Sequence, residues 1–421
     1  MTSPGPARRR FALFALAAAV VCVCLPLAEP ALWTADRGLS LKILVMLDRN
    51  VVPVAILVLA LPLGVLIDRT RRRSVLVVSA LLGAAVVTSV AAAGAAGTSA
   101  LPHLLVVITA SGVLTMVTGL GADAYLPSVV RRERLLPANV LLTLLPRIVV
   151  VPVTLAGTVR WGSAFLFAVG LALAGAAALF RGVCAVESPP PPATGLWRET
   201  AEGIRFTARH PALRAIALYL VLSALFAGIA DAAAGAAWET ALNGLSGTPT
   251  GFPWWLRIAR VHGPSVIGAL LAVLLHRRLG TFRLAWWALL ASAPFTLLLA
   301  LSGTGPGPIW YVLGAAVPAA GTVIAAVALL SHRQAVTPHR LLGRTGALLV
   351  VLTTVADGGA DLLEWPAERL AELGGVAPAA LATVAALAPV APLLRARRAA
   401  ADHDAGAAAA SEAGAPTPTK G

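Results

Sequence analysis

The chain has 421 residues, of which 58% are hydrophobic and only 12% charged, and its formal net charge is +14. Soluble domains carry about 25% charged residues, so an ordinary water-soluble fold is excluded. The positive charge sits in short clusters between apolar runs, with no basic groove interleaved with aromatics, which excludes a nucleic-acid surface.

The first apolar run, Phe11 to Leu32, follows Arg8–Arg10 and imitates a signal peptide. It is too long for one and many similar runs follow, so it is read as the first membrane helix. A membrane-spanning helix takes about 20 mostly apolar residues. Twelve segments qualify, near 11–33, 50–67, 74–96, 101–123, 137–158, 162–180, 212–237, 253–275, 284–302, 308–330, 343–364 and 375–395. The breaks between them carry Gly, Pro or Arg, as helix ends do. Of the 33 basic residues, 25 fall at the N-terminus, in alternate breaks and in the C-terminal tail. Cytoplasmic loops retain Lys and Arg, so the pattern predicts a multi-pass cell-membrane protein with both termini in the cytoplasm. Trp33, Trp161, Trp238, Trp254, Trp255, Trp310 and Trp365 all fall at predicted outer ends, matching the enrichment of tryptophan at membrane interfaces.

The longest polar break inside the helical region divides the spans six and six. The expected organisation is a cytoplasmic N-terminus (1–10), a six-helix half (11–180), a cytoplasmic linker (181–211), a second six-helix half (212–395) and a disordered cytoplasmic tail (396–421). Within the linker, Trp197, Ala201, Ile204 and Ala208 recur at helical spacing, with Arg198, Glu199, Glu202, Arg205 and Arg209 on the other faces. That pattern describes a short amphipathic helix in the cytoplasmic interface or a solvated linker helix. The tail is Ala, Gly, Pro and Thr, too polar and small to build a core.

Ionisable residues inside spans are costly and usually face a cavity or a partner. Three acids (Asp231, Asp357, Asp361) and three bases (Arg147, Arg257, Arg260) lie within the apolar segments. At about 1.5 Å per residue, Asp231, Asp357 and Arg260 fall roughly 8–12 Å inward from the outer tryptophans, and Arg147 close to the midplane. Thr353, Asp357, Asp361 and Glu364 share one face of the eleventh span, and Arg257 and Arg260 share one face of the eighth. Two uses stay open: Asp231 or Asp357 carries a proton, or Arg260 and Asp357 form a fixed structural pair. His262 is read as a packed interface residue.

The sequence has no Walker loop, zinc pair, nucleophile elbow or cofactor box. Cys22, Cys24 and Cys184 offer neither a metal tetrad nor a disulfide framework. The expectation is a non-enzyme without cofactor or metal, partnered by the lipid bilayer.

Gly64-Val-Leu-Ile-Asp68-Arg69-Thr-Arg71-Arg72-Arg73, between the second and third spans, resembles the Gly-x-x-x-Asp-Arg-x-Gly-Arg-Arg loop motif of the major facilitator superfamily. Ala122 to Val140, Gly203-Ile-Arg-Phe206 with Pro211-Ala-Leu-Arg214, and Leu342-Gly343-Arg344 are similar to segments of its drug and siderophore exporter branch. The resemblance implies an all-α fold of twelve helices in two six-helix halves, fused as repeats, in a protein acting as a monomer. It also implies a latch in which Asp68 meets the start of the eleventh span, with Gly64, Arg69, Arg72, Arg73 and Arg344 around it. The activity implied is proton-coupled efflux of a small amphiphilic molecule, a drug or secondary metabolite, by alternating access.

Several positions depart from the family pattern. Arg71 replaces a glycine, the second-half copy of the loop survives as His276-Arg277-Arg278-Leu279-Gly280 without its acid, and the fourth span lacks an arginine. The fifth span reads Val151-Pro152 through Ala156-Gly157 where exporters have Gly-Pro and a glycine pair. Two alternatives therefore stand beside efflux: an organic-anion transporter using Arg147, Arg257 and Arg260, or a non-transporting membrane partner that kept the fold.

Overall fold

A computed structural model describes residues 6–35, 41–98, 101–155, 163–185, 187, 195–243, 254–372 and 376–397. All regular structure among them is helical. The elements are α1 (Pro6–Ala35), α2 (Leu41–Arg69), α3 (Arg72–Ala96), α4 (Leu101–Val129), α5 (Leu135–Leu155), α6 (Ser163–Gly182) and α7 (Leu196–Arg209). They continue as α8 (Pro211–Asn243), α9 (Trp254–Leu279), α10 (Thr281–Ser292, prolonged by a 3-10 stretch Ala293–Leu301), α11 (Gly307–Val336), α12 (Leu342–Glu372) and α13 (Val376–Leu387).

Within the described residues each of the twelve apolar segments coincides with a helix, α1 to α6 and α8 to α13, the last segment running on past α13, and α7 is the short polar one. Among the described residues, nine helical stretches are long and apolar enough to cross a membrane by length and composition. Prolines lie inside α2, α4, α9, α11 and α12. Membrane helices tolerate them because neighbouring helices satisfy the freed backbone groups. Helix α3 ends on Gly97, whose φ of +66° lets the Thr98 N–H turn back to the Ala93 carbonyl at 3.0 Å.

Two cores organise the bundle. The first is built from α1, α3, α4 and α6 around Phe14, Tyr125 and Phe180, all fully buried. The Phe14 and Tyr125 rings meet edge-on at 5.7 Å, and the Tyr125 hydroxyl donates to the Val183 carbonyl at 3.1 Å. The second joins α8 to α13 around Trp286, Leu284, Ala325 and Leu393. Small residues bring the helices close: a Cβ on Gly170 would meet Thr88, and one on Gly268 would meet the Ala320 backbone.

The two groups of helices touch where α2 and α4 pack on α12, and where α5 packs on α9 and α11. A third cluster, including Ala60, Ile67, Leu120, Leu342 and Ala347, fills the first of these contacts. Helix α7 lies against α2, α8 and α12. The expected disordered tail lies, beyond residue 397, outside the described residues.

Candidate functional site

Most of the arginine clusters collect at one end of the bundle, where α2 ends and α12 begins. Close approach comes first: a Cβ on Gly64 would sit 2.4 Å from Ala347 Cβ and 2.9 Å from the Gly343 carbonyl oxygen. Only two bare backbones fit there, and this contact sets Asp68, one turn on, against the first residues of α12. The Asp68 carboxylate accepts the Gly343 N–H at 2.9 Å and the Arg344 N–H at 3.0 Å. These donors lack partners within their own helix and carry its positive pole. Guanidinium nitrogens of Arg72 and Arg344 stand 3.6 Å away. The Asp68 side chain is completely buried.

Around this centre the charges continue as a closed network. Arg344 donates to Glu199 at 2.6 Å and to Glu202 at 2.9 Å. Arg69 grips Glu199 from the other side through two bonds of 2.8 and 3.1 Å. Glu199, on α7, therefore ties α2 to α12, and Arg340 adds a 3.4 Å pair to Glu202. Arg72 donates to the Ala124 carbonyl of α4 at 2.9 Å and to the His339 carbonyl just before α12. Glu187 caps the start of α3 by accepting the Arg72 N–H at 2.7 Å and the Arg73 N–H at 3.3 Å. Of the residues singled out in this loop, Gly64, Asp68, Arg69, Arg72 and Arg344 come together. Arg73 points away, to the Cys184 sulfur at 3.8 Å.

Sequence reasoning missed the two glutamates of α7, because helical spacing alone places them on a hydrated face. It also missed a second polar junction. Arg333 on α11 donates to the Asp123 carboxylate on α4 at 2.7 Å, and the Gln334 amide donates to the Asp123 carbonyl at 3.2 Å. Asn139 on α5 donates to Ser331 at 2.9 Å and to Gln334 at 2.7 Å. Arg333 lies just beyond the tenth apolar segment (308–330), and Asp123 is the last residue of the fourth (101–123). The usable signal was an acid at the end of one span and a base at the end of another, at similar depth.

Above this junction lies a cavity of about 480 Å³ between the two groups of helices, walled by α2, α4, α8, α11 and α12. Ile56, Met116, Leu120, Leu220, Leu349 and Val350 make it mainly apolar, Thr115 and Thr353 add hydroxyls, and Asp123 with Arg333 forms its floor.

The charges within spans are dispersed. Asp361 pairs with Arg49 at 2.5 Å, joining α12 to α2 at the end opposite Asp68, with both side chains more than half exposed. Asp357, one turn away, is exposed. Asp231 lines a separate cavity of about 410 Å³ among α8, α10, α11 and α13. Arg147 is half-buried on α5 within electrostatic reach of the buried His262 on α9. The side chains of Arg257, Arg260 and Glu364 lie outside the described residues, so the expected Arg260–Asp357 pair does too. No group of three or more potential metal ligands occurs among the described residues.

No protein-family model matches the chain, and no curated protein matches it by sequence. Solved structures do match. A bacterial homologue of the iron transporter ferroportin, in an outward-facing state with soaked iron, aligns at 16% identity with a TM-score of 0.69, covering 94% of this chain and 100% of that one. The human organic anion transporter MFSD10 (TETRAN) aligns at 16% identity and a TM-score of 0.67, over 93% and 100% of the two chains. The major facilitator superfamily transporter FucP, in its outward conformation, aligns at 16% identity and 0.66, over 92% and 97%. At such identity the likeness carries the fold alone: an all-α bundle of apolar helices with the major facilitator fold.

Proposed function

We propose that this major facilitator fold works as a secondary transporter by alternating access, exporting a small amphiphilic molecule from the cell in exchange for protons. The observation that carries the reading is the central cavity, about 480 Å³ in volume, walled by helices of both halves and floored by an ion pair that joins them. Pockets for drug-sized ligands have about 300–1,000 Å³ and are mostly apolar with a few polar groups. Apolar walls with two hydroxyls and a charged floor suit a molecule with a greasy body and one polar end.

The arginine-rich end is assigned to the cytoplasm by the retention of basic residues on that side. In this orientation the buried contacts of Asp68, Arg344 and Glu199 support an inward-closed state in which they act as a latch. On the outward side the exposed Arg49–Asp361 pair joins the halves, and such pairs contribute about 0.2–1 kcal/mol. Asp357 and Asp361 then stand near the external mouth. The organic-anion alternative gains no support from this cavity, whose one arginine among the described lining residues already faces Asp123.

Purified protein in sealed vesicles, with an imposed pH gradient and a fluorescent amphiphile as cargo, tests the reading. Flux that follows the sign of the gradient is expected. Flux indifferent to the gradient removes proton coupling, and absence of flux for apolar, cationic and anionic cargo alike removes transport.

A further inference from the structure

The floor of the central cavity holds an acid that the latch motif does not explain. Asp123 on α4 and Arg333 on α11 belong to opposite halves, and their 2.7 Å contact crosses the seam that must part when the arginine-rich end opens. We propose that Asp123 is the proton-binding group that operates this gate: its protonation releases Arg333 and lets the halves separate at the arginine-rich end. The proposal rests on the alternating-access reading and names the residue through which protons act on it.

Three observations converge on Asp123. First, it is reachable. Its side chain keeps 35% of its surface and lines the cavity, while the latch acids Asp68 and Glu199 keep 0% and 3%. A proton arriving through the cavity meets Asp123 before either of them. Second, its partner is dependent on it. The Arg333 side chain keeps 8% of its surface, and its Nε is buried without a hydrogen-bond partner. A guanidinium stays charged at any physiological pH, so neutralising Asp123 leaves a buried, uncompensated cation. Such a charge is strongly unfavourable, and parting of the helices hydrates it. Third, the other described hydrogen bonds that cross the seam at this turn of α11 are neutral, and His332 beside them contacts Thr281 and Phe282 within its own half. Gln334 reaches the Asp123 carbonyl, and Asn139 holds Ser331 and Gln334. They align the helices without opposing the change in charge.

The surroundings add little competing charge. From α11 Asp123 faces Arg333, from α1 it has the Cys22 thiol in electrostatic reach, and from α3 Arg72 bonds to the adjacent Ala124 carbonyl. From α2, α8 and α12 the described cavity residues are uncharged: Ile56, Leu220, Gly346, Leu349, Val350 and Thr353. The step is a simple protonation: one proton joins the Asp123 carboxylate, the ion pair is lost, and Arg333 keeps its charge.

The gate can be followed without any cargo. Spin labels at Arg131→Cys and Arg278→Cys, two exposed positions at the arginine-rich end on opposite halves, report its width in the full chain after the three native cysteines are replaced. Between pH 8 and pH 5 the ratio of wide to narrow distances is expected to rise about tenfold, equivalent to about 1.4 kcal/mol. Asp123→Asn is expected to be wide at both pH values. Asp123→Glu, which keeps a titratable group if the asparagine variant folds poorly, retains the response with a moved midpoint. Asp231→Asn and Asp357→Asn respond like the parent. A parent without pH response overturns the proposal, and so does an Asp123→Asn variant that follows pH as the parent does. The distance measurement is independent of flux: vesicles that move no cargo refute the transport reading, whereas only the label distances refute the Asp123 gate.

Discussion

Substituting Asp68 by asparagine isolates the charge at the latch while keeping its shape. The carboxylate accepts two N–H groups at the first turn of α12, at 2.9 and 3.0 Å, inside a site closed to solvent. An asparagine oxygen accepts one of them, and its NH2 faces the other donor with nothing to offer. One charge-assisted hydrogen bond is lost, worth about 1.5–3 kcal/mol. The two guanidinium groups at 3.6 Å lose their counter-charge as well. Against this, a neutral amide is easier to bury than a carboxylate. The balance is about 2 kcal/mol against the closed state, or roughly thirtyfold in the closed-to-open ratio. The spin-label pair at Arg131 and Arg278 measures that ratio directly. Asp68→Asn should populate the wide distance at pH 8, and Asp68→Ala, which accepts neither bond, should do so more strongly. A change under twofold in both variants refutes the idea that this carboxylate holds the end shut.

Three further outcomes follow from the same contacts. Gly64→Val drives a branched side chain into Ala347 and the Gly343 carbonyl; overpacking of this kind costs about 1–3 kcal/mol, and the same distance assay should show the arginine-rich end forced open with the helical content, by circular dichroism, unchanged. Arg49→Ala removes an exposed pair, so opening of the opposite end, followed by external maleimide labelling of an Asn50→Cys reporter, should rise less than about fivefold. Gly119→Phe places a ring in the central cavity, where a Cβ meets no atom within 4 Å; flux in vesicles should fall at least tenfold while thermal stability stays within a few degrees of the parent.

Fold and site were legible in the sequence to different degrees, for physical reasons. Twelve apolar segments could be placed because hydrocarbon imposes a length and excludes charge, and each falls on a helix. The junction of α2 with α12 could be anticipated because Gly64, Asp68 and Arg72 carry local spacing that resembles a known loop. Glu199 and Glu202 could not be placed in that junction: on an isolated helix they belong to a solvated face, and only Arg344 and Arg69, more than 100 residues away in either direction, bury Glu199. Asp123 and Arg333 were hidden for the same reason, being 210 residues apart and each near the end of its own helix. The reverse holds for Asp361, which the sequence places inside the eleventh span on a face shared with Asp357 and Glu364. Its described partner is Arg49, which lies just before the second apolar segment (50–67).

The asymmetry of the loop motif between the two halves has a structural counterpart. The first half supplies Asp68 to the α2–α12 contact, and the junction there is ionic and buried. The second half keeps only His276-Arg277-Arg278-Leu279-Gly280, and the corresponding contact of α5 with α9 has no acid at that loop. What joins α5 to the second half at this end, among the described residues, is apolar packing of Leu136 and Val140 and a set of neutral bonds from Asn139 to Ser331 and Gln334. One side of the seam therefore depends on charge and the other on amides. Charge can be switched by a proton and amides cannot, so in the proposed gate the ionic contacts of α2 and α4 with α11 and α12 open on protonation, while the amide contact of α5 with α11 acts as the pivot. Asn139→Leu should then weaken the closed state at every pH without changing the pH midpoint of opening, whereas changes at Asp123 move or abolish that midpoint. Distances measured against pH for the two variants separate the roles, and a midpoint that moves with Asn139 assigns the pivot to the wrong side.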